Sequence, residues 1–271
     1  MSTNTVSIIH PTAIVSDGAT IGEGVSIGPY SVIGPEVTLG QGTRVESHVV
    51  ISGRTSLGKE NKIFQFSSIG AAPQDLKFKN EPSRLEIGDN NVIREYVTLQ
   101  PGTEGGGMLT SIGSNNLFMA SSHVGHDAKL GDNIIVANSA ALSGHVEIGN
   151  HVTVGGLVGV HQFVRVGEHA FLGAGAMVAQ DIPPYCLAQG DRATLYGINI
   201  IGLKRKGFDT KEIQSAKEIF RSLFYQKGKM KDKIAEIRSS NDTLSPSIEK
   251  LLSFVETSER GVCSASRDNT E

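Results

Sequence analysis

The chain has 271 residues, 38% of them hydrophobic, with 25 Lys and Arg against 28 Asp and Glu and a formal net charge of -3. That length suits one large domain or two small ones, and the charge lacks the overall basic field that general nucleic-acid binding requires. The two cysteines, Cys186 and Cys263, stand far apart in no C-x-x-C spacing, so neither a disulfide framework nor a thiolate metal site is suggested. The N-terminus shows no basic segment leading into an apolar one, and no run approaches the roughly 20 apolar residues of a membrane span, so the expectation is a soluble cytoplasmic protein.

From the start of the chain an aliphatic residue recurs every sixth position, at Ile9, Val15, Ile21, Ile27, Ile33, Leu39, Val45, Ile51, Leu57, Ile63 and Ile69. The series resumes at Ile87, Ile93 and Leu99, slips by one residue, and runs again from Ile112 through Phe118, Val124, Leu130, Val136, Leu142, Ile148, Val154, Val160, Val166 and Leu172 to Val178. An amphipathic helix needs apolar spacings of three and four, so this is an internal repeat of short strands and turns. Stacked units of this kind bury one continuous aliphatic column, and the fold expected is a mainly β, parallel β-helix.

Two stretches break the pattern, at about 71–86 and 100–111. The first keeps the six-residue phase and the second adds one residue to it, as an outward loop does. At Asp181-Ile-Pro-Pro-Tyr185 a breaker is read as the end of the coils. The domains expected are therefore a repeat region over 1–190 and a C-terminal helical region over 191–271. Lys211 to Tyr225 spaces Ile213, Ala216, Ile219, Phe220, Leu223 and Phe224 as one helix face. Met230 to Ile237 and Ser247 to Val255 are two more helices, with Ser245-Pro246 as a start signal. The polar tail from Ser258 is expected to fray.

If three hexads make one coil, residues eighteen apart stack, and His126, Gly144 and Gln162 fall on one line. His145 and His161 adjoin that line and Asp127 adjoins His126 in Ser121-Ser-His-Val-Gly-His-Asp127. Histidine has no particular preference for turns, so such a corner suggests chemistry. A neutral imidazole oriented by a carboxylate can take a proton from an attacking hydroxyl. Alternatively, three imidazoles can hold zinc with an open fourth position, as in a carbonic anhydrase.

The hexads, together with Gln74-Asp-Leu-Lys77, Gly113-Ser-Asn-Asn-Leu117, His123-Val-Gly-His-Asp127, Ala141-Leu-Ser-Gly-His145, Val160-His-Gln-Phe163, Ala179-Gln-Asp-Ile-Pro-Pro-Tyr185 and Gly202-Leu-Lys-Arg-Lys-Gly-Phe208, resemble the acyl-ACP:UDP-N-acetylglucosamine O-acyltransferases. The resemblance covers nearly the whole chain and weakens after about Phe224. It implies a left-handed parallel β-helix with a C-terminal helical domain, assembled as a homotrimer with sites between subunits. It also implies transfer of a fatty acyl chain, usually 3-hydroxylated, from acyl carrier protein to the sugar 3-hydroxyl, the first step of lipid A synthesis. No cofactor or resident metal is implied. By matching motif, His126 is the base, Asp127 orients it, and the Gly144 N–H stabilises the oxyanion. Gln74, Asp75, Lys77 and His145 are placed near the glucosamine, with His161, Gln162, Asn199 and Arg205 around nucleotide and acyl donor. His123 joins the substrate-binding set. Lys204 and Lys206 flank Arg205 in a basic cluster suited to diphosphate or the acidic carrier protein. Ala174 is implied to limit acyl length by its size.

Leu99-Gln-Pro-Gly-Thr103 departs from the His-Arg-Gly-Thr of many members, so Gln100 replaces an imidazole near the sugar. Acceptors bearing a 3-amine in place of the 3-hydroxyl therefore stay open, as does the zinc reading of the histidines.

Overall fold

The structure, a computed structural model, describes residues 7–240 and 244–266. The first six residues and the part of the expected tail from 267 onward lie outside the described residues. Strands of mostly two residues wind into a left-handed parallel β-helix with three flat faces. The first face carries strands such as Ser26–Ile27, Lys62–Ile63 and Ile135–Val136; the second Val32–Ile33, His123–Val124 and Ala141–Leu142; the third Thr38–Leu39, Lys129–Leu130 and Glu147–Ile148.

Stacking follows the eighteen-residue register, as in His123 opposite Ala141 and Lys129 opposite Glu147. The aliphatic residue of each hexad points inward, and Ile33, Ile63, Leu99, Val124, Leu142 and Leu172 are fully buried. A two-residue strand cannot turn through a corner with ordinary dihedrals, so the corners use left-handed backbone even where no glycine stands. Asp127, His145 and Phe163 have φ of 58°, 60° and 65°. Such conformations disfavour L-residues, and the stacking of neighbouring coils must hold them.

Asparagines do part of that work inside the corner between the third and first faces. Asn91 donates to the carbonyl oxygens of Asn61 Oδ1 and Gly113, each at 3.0 Å, and its own Oδ1 accepts the Asn116 N–H at 2.9 Å. The side chain is fully buried, and Asn91→Ala leaves donors and acceptors of three coils unpaired. The expected loss is about 2–4 kcal/mol, read as a lower urea midpoint with an unchanged β-type circular dichroism spectrum.

Both insertions leave the corner between the second and third faces. Leu57 pairs with Ile87 and Ile87 with Ile112, in place of the ordinary eighteen-residue partners. The stretches Arg84–Ile87 and Leu109–Ile112, read as partly loop from the hexads, are instead four-residue strands paired along their length. Leu85 and Thr110, both fully buried, add an inward pair that the six-residue count does not anticipate.

The prolines do not end the coils. Ile182 bridges Val166, and Cys186–Gln189 lies parallel to Phe171–Leu172, completing another turn. Pro183 and Pro184 sit at a corner, where a missing N–H interrupts no strand pairing. Thr194–Ile198 then folds back antiparallel on Cys186–Gln189, so the coils and the helical region share a sheet.

Among the described residues four helices follow: α1 (Ile200–Arg205), α2 (Thr210–Phe224), α3 (Met230–Ser239) and α4 (Pro246–Glu256). A capping box between Asp209 and Glu212 starts α2, and Ser245 caps α4 with Pro246 in its first turn. The six-residue α1 is too short to show a helical period, which is why the sequence does not announce it. None of the described helices is long and apolar enough to cross a membrane. The tail does not fray over its described part. Asp181 bridges Val262, Leu195 bridges Ala265, and Cys263 and Ser266 are buried.

Candidate active site

The register stacks His126-Asp127, Gly144-His145 and Gln162-Phe163 on the corner from which both insertions emerge. The second insertion folds back over Asp127. Its Thr103 N–H donates to Asp127 Oδ1 at 2.7 Å and the Thr103 hydroxyl to Oδ2 at 2.6 Å. The Asp127 N–H donates to Thr110 Oγ1 at 2.7 Å. Gly106 passes so close that a Cβ there would stand 1.9 Å from Asp127 Cγ. Glycine is therefore required by close approach at this point. The carboxylate is completely shielded by these contacts.

His126 Nδ1 lies 2.8 Å from Asp127 Oδ2. A carboxylate already taking hydrogens from Thr103 acts only as an acceptor, so the ring hydrogen sits on Nδ1. Nε2 then carries the free lone pair. The ring rests against Gly144, where a Cβ would come within 2.6 Å of Cε1 and 2.7 Å of Nε2. The Gly144 N–H has no acceptor among the described residues.

His145 meets His126 edge to face with centroids 5.0 Å apart, and stacks on Phe163 at 4.4 Å. Its Nε2 is 3.8 Å from Asp127 Oδ2. Burial lowers the His145 pKa against the opposing pull of Asp127 and Asp75, and a charged His126 would lower it further. His123, bonded through Nδ1 to Thr98 Oγ1 at 2.7 Å, is lowered by burial and then by His126. Both effects favour neutral imidazoles around the corner.

His126, Asp127 and His145 also offer three ligand atoms within 4.8 Å of one another. The donor set does not fit the zinc reading, which needs three converging imidazoles. Asp127 already holds three hydrogen bonds, His123 is bonded to Thr98, and His161 is bonded to Arg260.

Other expected residues spread over the molecule. Gln74, Asp75 and Lys77 lie on the first insertion, close enough for the Asp75 charge to act on His145. Gln162 is exposed on the His126 corner and His161 just before it. Ala174 is exposed on the corner between the first and second faces. Gln100 is buried at the root of the second insertion.

Asn199, Lys204, Arg205 and Lys206 are not brought to this corner. They sit on and beside α1, at the corner between the third and first faces, so the basic cluster does not flank the His126 site of its own chain. There Asn199 Nδ2 donates to the His169 carbonyl at 3.0 Å, and His169 stacks on His151 at 4.6 Å and against Phe208. Burial, then the charges of His151, Lys206 and Lys250, take the His169 pKa down to about 4 against the pull of Glu168. A depressed folded-state value means the fold prefers the neutral ring. Stability contributed there is present above about 6.5 and is lost as pH falls toward about 4. His169→Phe is expected to flatten the pH dependence of the urea midpoint across that window.

The sequence reading missed Thr103, Thr110, Gly106, Phe163 and Arg260. Thr98 pairs with His123 across the second insertion, and carrying that register forward sets Gly102 over Asp127 with Thr103 next to it. That count was available once the seven-residue excess was recognised.

The hexapeptide β-helix and its relatives place the chain among the acyltransferases of the hexapeptide-repeat class. Residues 18–53 match the bacterial transferase hexapeptide family, and residues 181–263 match the family described as UDP-N-acetylglucosamine O-acyltransferase, domain 2. LpxA from Acinetobacter baumannii is 43% identical, with 94% of this chain and 99% of that one covered at a TM-score of 0.92. The UDP-N-acetylglucosamine acyltransferase of Francisella novicida is 37% identical, covering 97% and 99%, with a TM-score of 0.91. The Arabidopsis enzyme is 34% identical over 94% and 100%, with a TM-score of 0.83. The chain belongs to the UDP-N-acetylglucosamine O-acyltransferase family.

Proposed function

We propose that the protein moves an acyl chain, 3-hydroxylated in the usual case, from the thioester of acyl carrier protein to the 3-hydroxyl of UDP-N-acetylglucosamine, the first step of lipid A synthesis. The observation that carries this reading is the acceptor-saturated Asp127, which fixes His126 with a free Nε2 lone pair. His126 takes the sugar hydroxyl proton as the oxygen attacks the thioester carbon. The tetrahedral oxyanion is met by the Gly144 N–H. Collapse breaks the C–S bond, and the sulfur leaves with the proton held by His126. A thioester needs no covalent enzyme intermediate. The described thiols also suit none, since burial raises the pKa of both Cys186 and Cys263.

A groove of about 560 Å³ on the second face, lined by Ala141, Ser143, Gly159, His161, Met177 and Arg192, is mostly apolar and adjoins the Gly144 corner. It suits the acyl chain or its carrier arm. Gln74, Asp75, Lys77, His123 and His145 surround the glucosamine in this reading, and Gln162 faces the donor. Asn199, Lys204, Arg205 and Lys206 serve the nucleotide of a neighbouring subunit's site, within a homotrimer. Self-association is supported by an exposed ladder of Tyr30, His48, Phe66 and Tyr96, whose successive rings meet at 5.1–5.3 Å along one corner. Ala174 limits chain length from the adjacent edge.

The test is incubation of purified protein with UDP-N-acetylglucosamine and a panel of acyl and 3-hydroxyacyl carrier proteins, followed by product mass. A new acyl-sugar nucleotide supports the reading and gives the chain length. Product only with a 3-amino sugar nucleotide assigns the acceptor to the amine, as Gln100 suggests. No product with either acceptor overturns the transferase reading.

A further inference from the structure

The tail after α4 reaches a ring beside the proposed acyl groove. Arg260 donates through Nε to the Ala179 carbonyl at 2.7 Å, and its Nη2 lies 2.8 Å from His161 Nδ1. The backbone on both sides of Arg260 is clamped. Ser258 Oγ donates to Asp181 Oδ2 at 2.8 Å, the Asp181 N–H donates to the Gly261 carbonyl at 2.9 Å, and the Cys263 N–H returns to the Asp181 carbonyl at 3.0 Å. Gly261 turns at φ 81°, a left-handed conformation that frees the chain to enter this bridge.

A guanidinium has five donors and no acceptor. Its partner atom on His161 must therefore offer a lone pair. The competing contact, from His161 Nδ1 to the Gln162 carbonyl at 3.1 Å, needs a hydrogen on the same atom and is incompatible with the shorter one. With Nδ1 accepting, a neutral ring carries its hydrogen on Nε2.

We infer that Arg260 is a positioning residue that fixes the tautomer of His161, so that His161 presents Nε2–H as a hydrogen-bond donor to a substrate oxygen in the groove. This deepens the reading of that groove as the acyl-donor site and rests on it. It also gives the C-terminal segment a part in substrate binding, since the seated tail holds this tautomer against the competing contact with the Gln162 carbonyl. Charge alone does not supply this; a fixed donor at Nδ1 does.

The experiment is a long-range ¹H–¹⁵N correlation spectrum of the full chain labelled with ¹⁵N-histidine, at mildly alkaline pH where imidazoles are neutral. In the unaltered protein His161 is expected to show a protonated Nε2 and an unprotonated Nδ1. Arg260→Met, which keeps the stem and removes the donors, should shift the ring toward Nδ1–H bonded to Gln162. Arg260→Lys, again a pure donor, should restore the Nε2–H form at least in part. Thermal unfolding of the variants shows whether each is folded. In the transfer assay Arg260→Met should raise the KM for the acyl carrier about tenfold with kcat changed less than about threefold, the size of one lost hydrogen bond. An Nδ1–H ring in the unaltered protein, or a ring unchanged by Arg260→Met, overturns the assignment. A KM rise for the sugar nucleotide alone overturns the acyl-donor role. If the unaltered protein shows no transfer at all, the functional reading falls, while the spectrum still decides the pairing.

Discussion

His126→Ala is expected to lower kcat on the order of 10²–10⁴-fold while the coils and the KM values stay nearly unchanged. The size follows from the loss of the proton acceptor, because a sugar hydroxyl is a poor nucleophile until its proton has somewhere to go. The survival of the fold follows from the surroundings of Asp127. With the imidazole gone, the carboxylate still accepts the N–H and hydroxyl of Thr103, so no buried charge is stranded. Removing the ring leaves open space beside Gly144 and creates no new clash. His145→Ala should cost less, since its imidazole contacts Asp127 only at 3.8 Å and otherwise stacks on Phe163. Steady-state kinetics of the two variants, beside their unfolding curves, separates the roles. A His126→Ala protein with more than about a tenth of the original kcat would remove His126 as the base.

The repeat was legible because a β-helix buries one aliphatic residue at a fixed interval, and the same interval predicts which positions stack. That logic placed His126 beside Gly144 from counting alone. The plain six-residue interval did not by itself reveal what lies above Asp127, since the second insertion interrupts that interval and its Thr103 acts through a folded-back loop. Nor could it separate corners. His126 and Lys204 both occur in motifs of the resembling family, yet the three-faced winding sets them on different edges, and one chain does not unite them. The prolines after Asp181 misled for a related reason: breakers end strands, but a coil made mainly of corners has places where no N–H is needed. The tail looked frayed because polar composition is silent about pairing, and its bridges to Asp181 and Leu195 depend on where the last coil happens to end.

Asp127→Asn is the sharper test of how the site is wired. The native carboxylate accepts three hydrogens, whereas an amide offers one oxygen and one NH₂ group. If the amide oxygen keeps the Thr103 N–H, its NH₂ faces the Thr103 hydroxyl, which can accept, and His126 Nδ1, which must then become an acceptor. The ring hydrogen moves to Nε2 and the base is lost although the imidazole remains. The reverse orientation sets NH₂ against the Thr103 N–H, two donors face to face in a buried position, and is disfavoured. The expected kcat loss is therefore on the order of 10²–10⁴-fold, with the loop still seated, as for an amide at the same place in a Ser-His-Asp triad. Because both substitutions disable one unit, the double variant Asp127→Asn with His126→Ala should be no slower than His126→Ala alone. Fully additive losses would mean that Asp127 supports the reaction by a route that does not pass through His126, and the tautomer argument would fall.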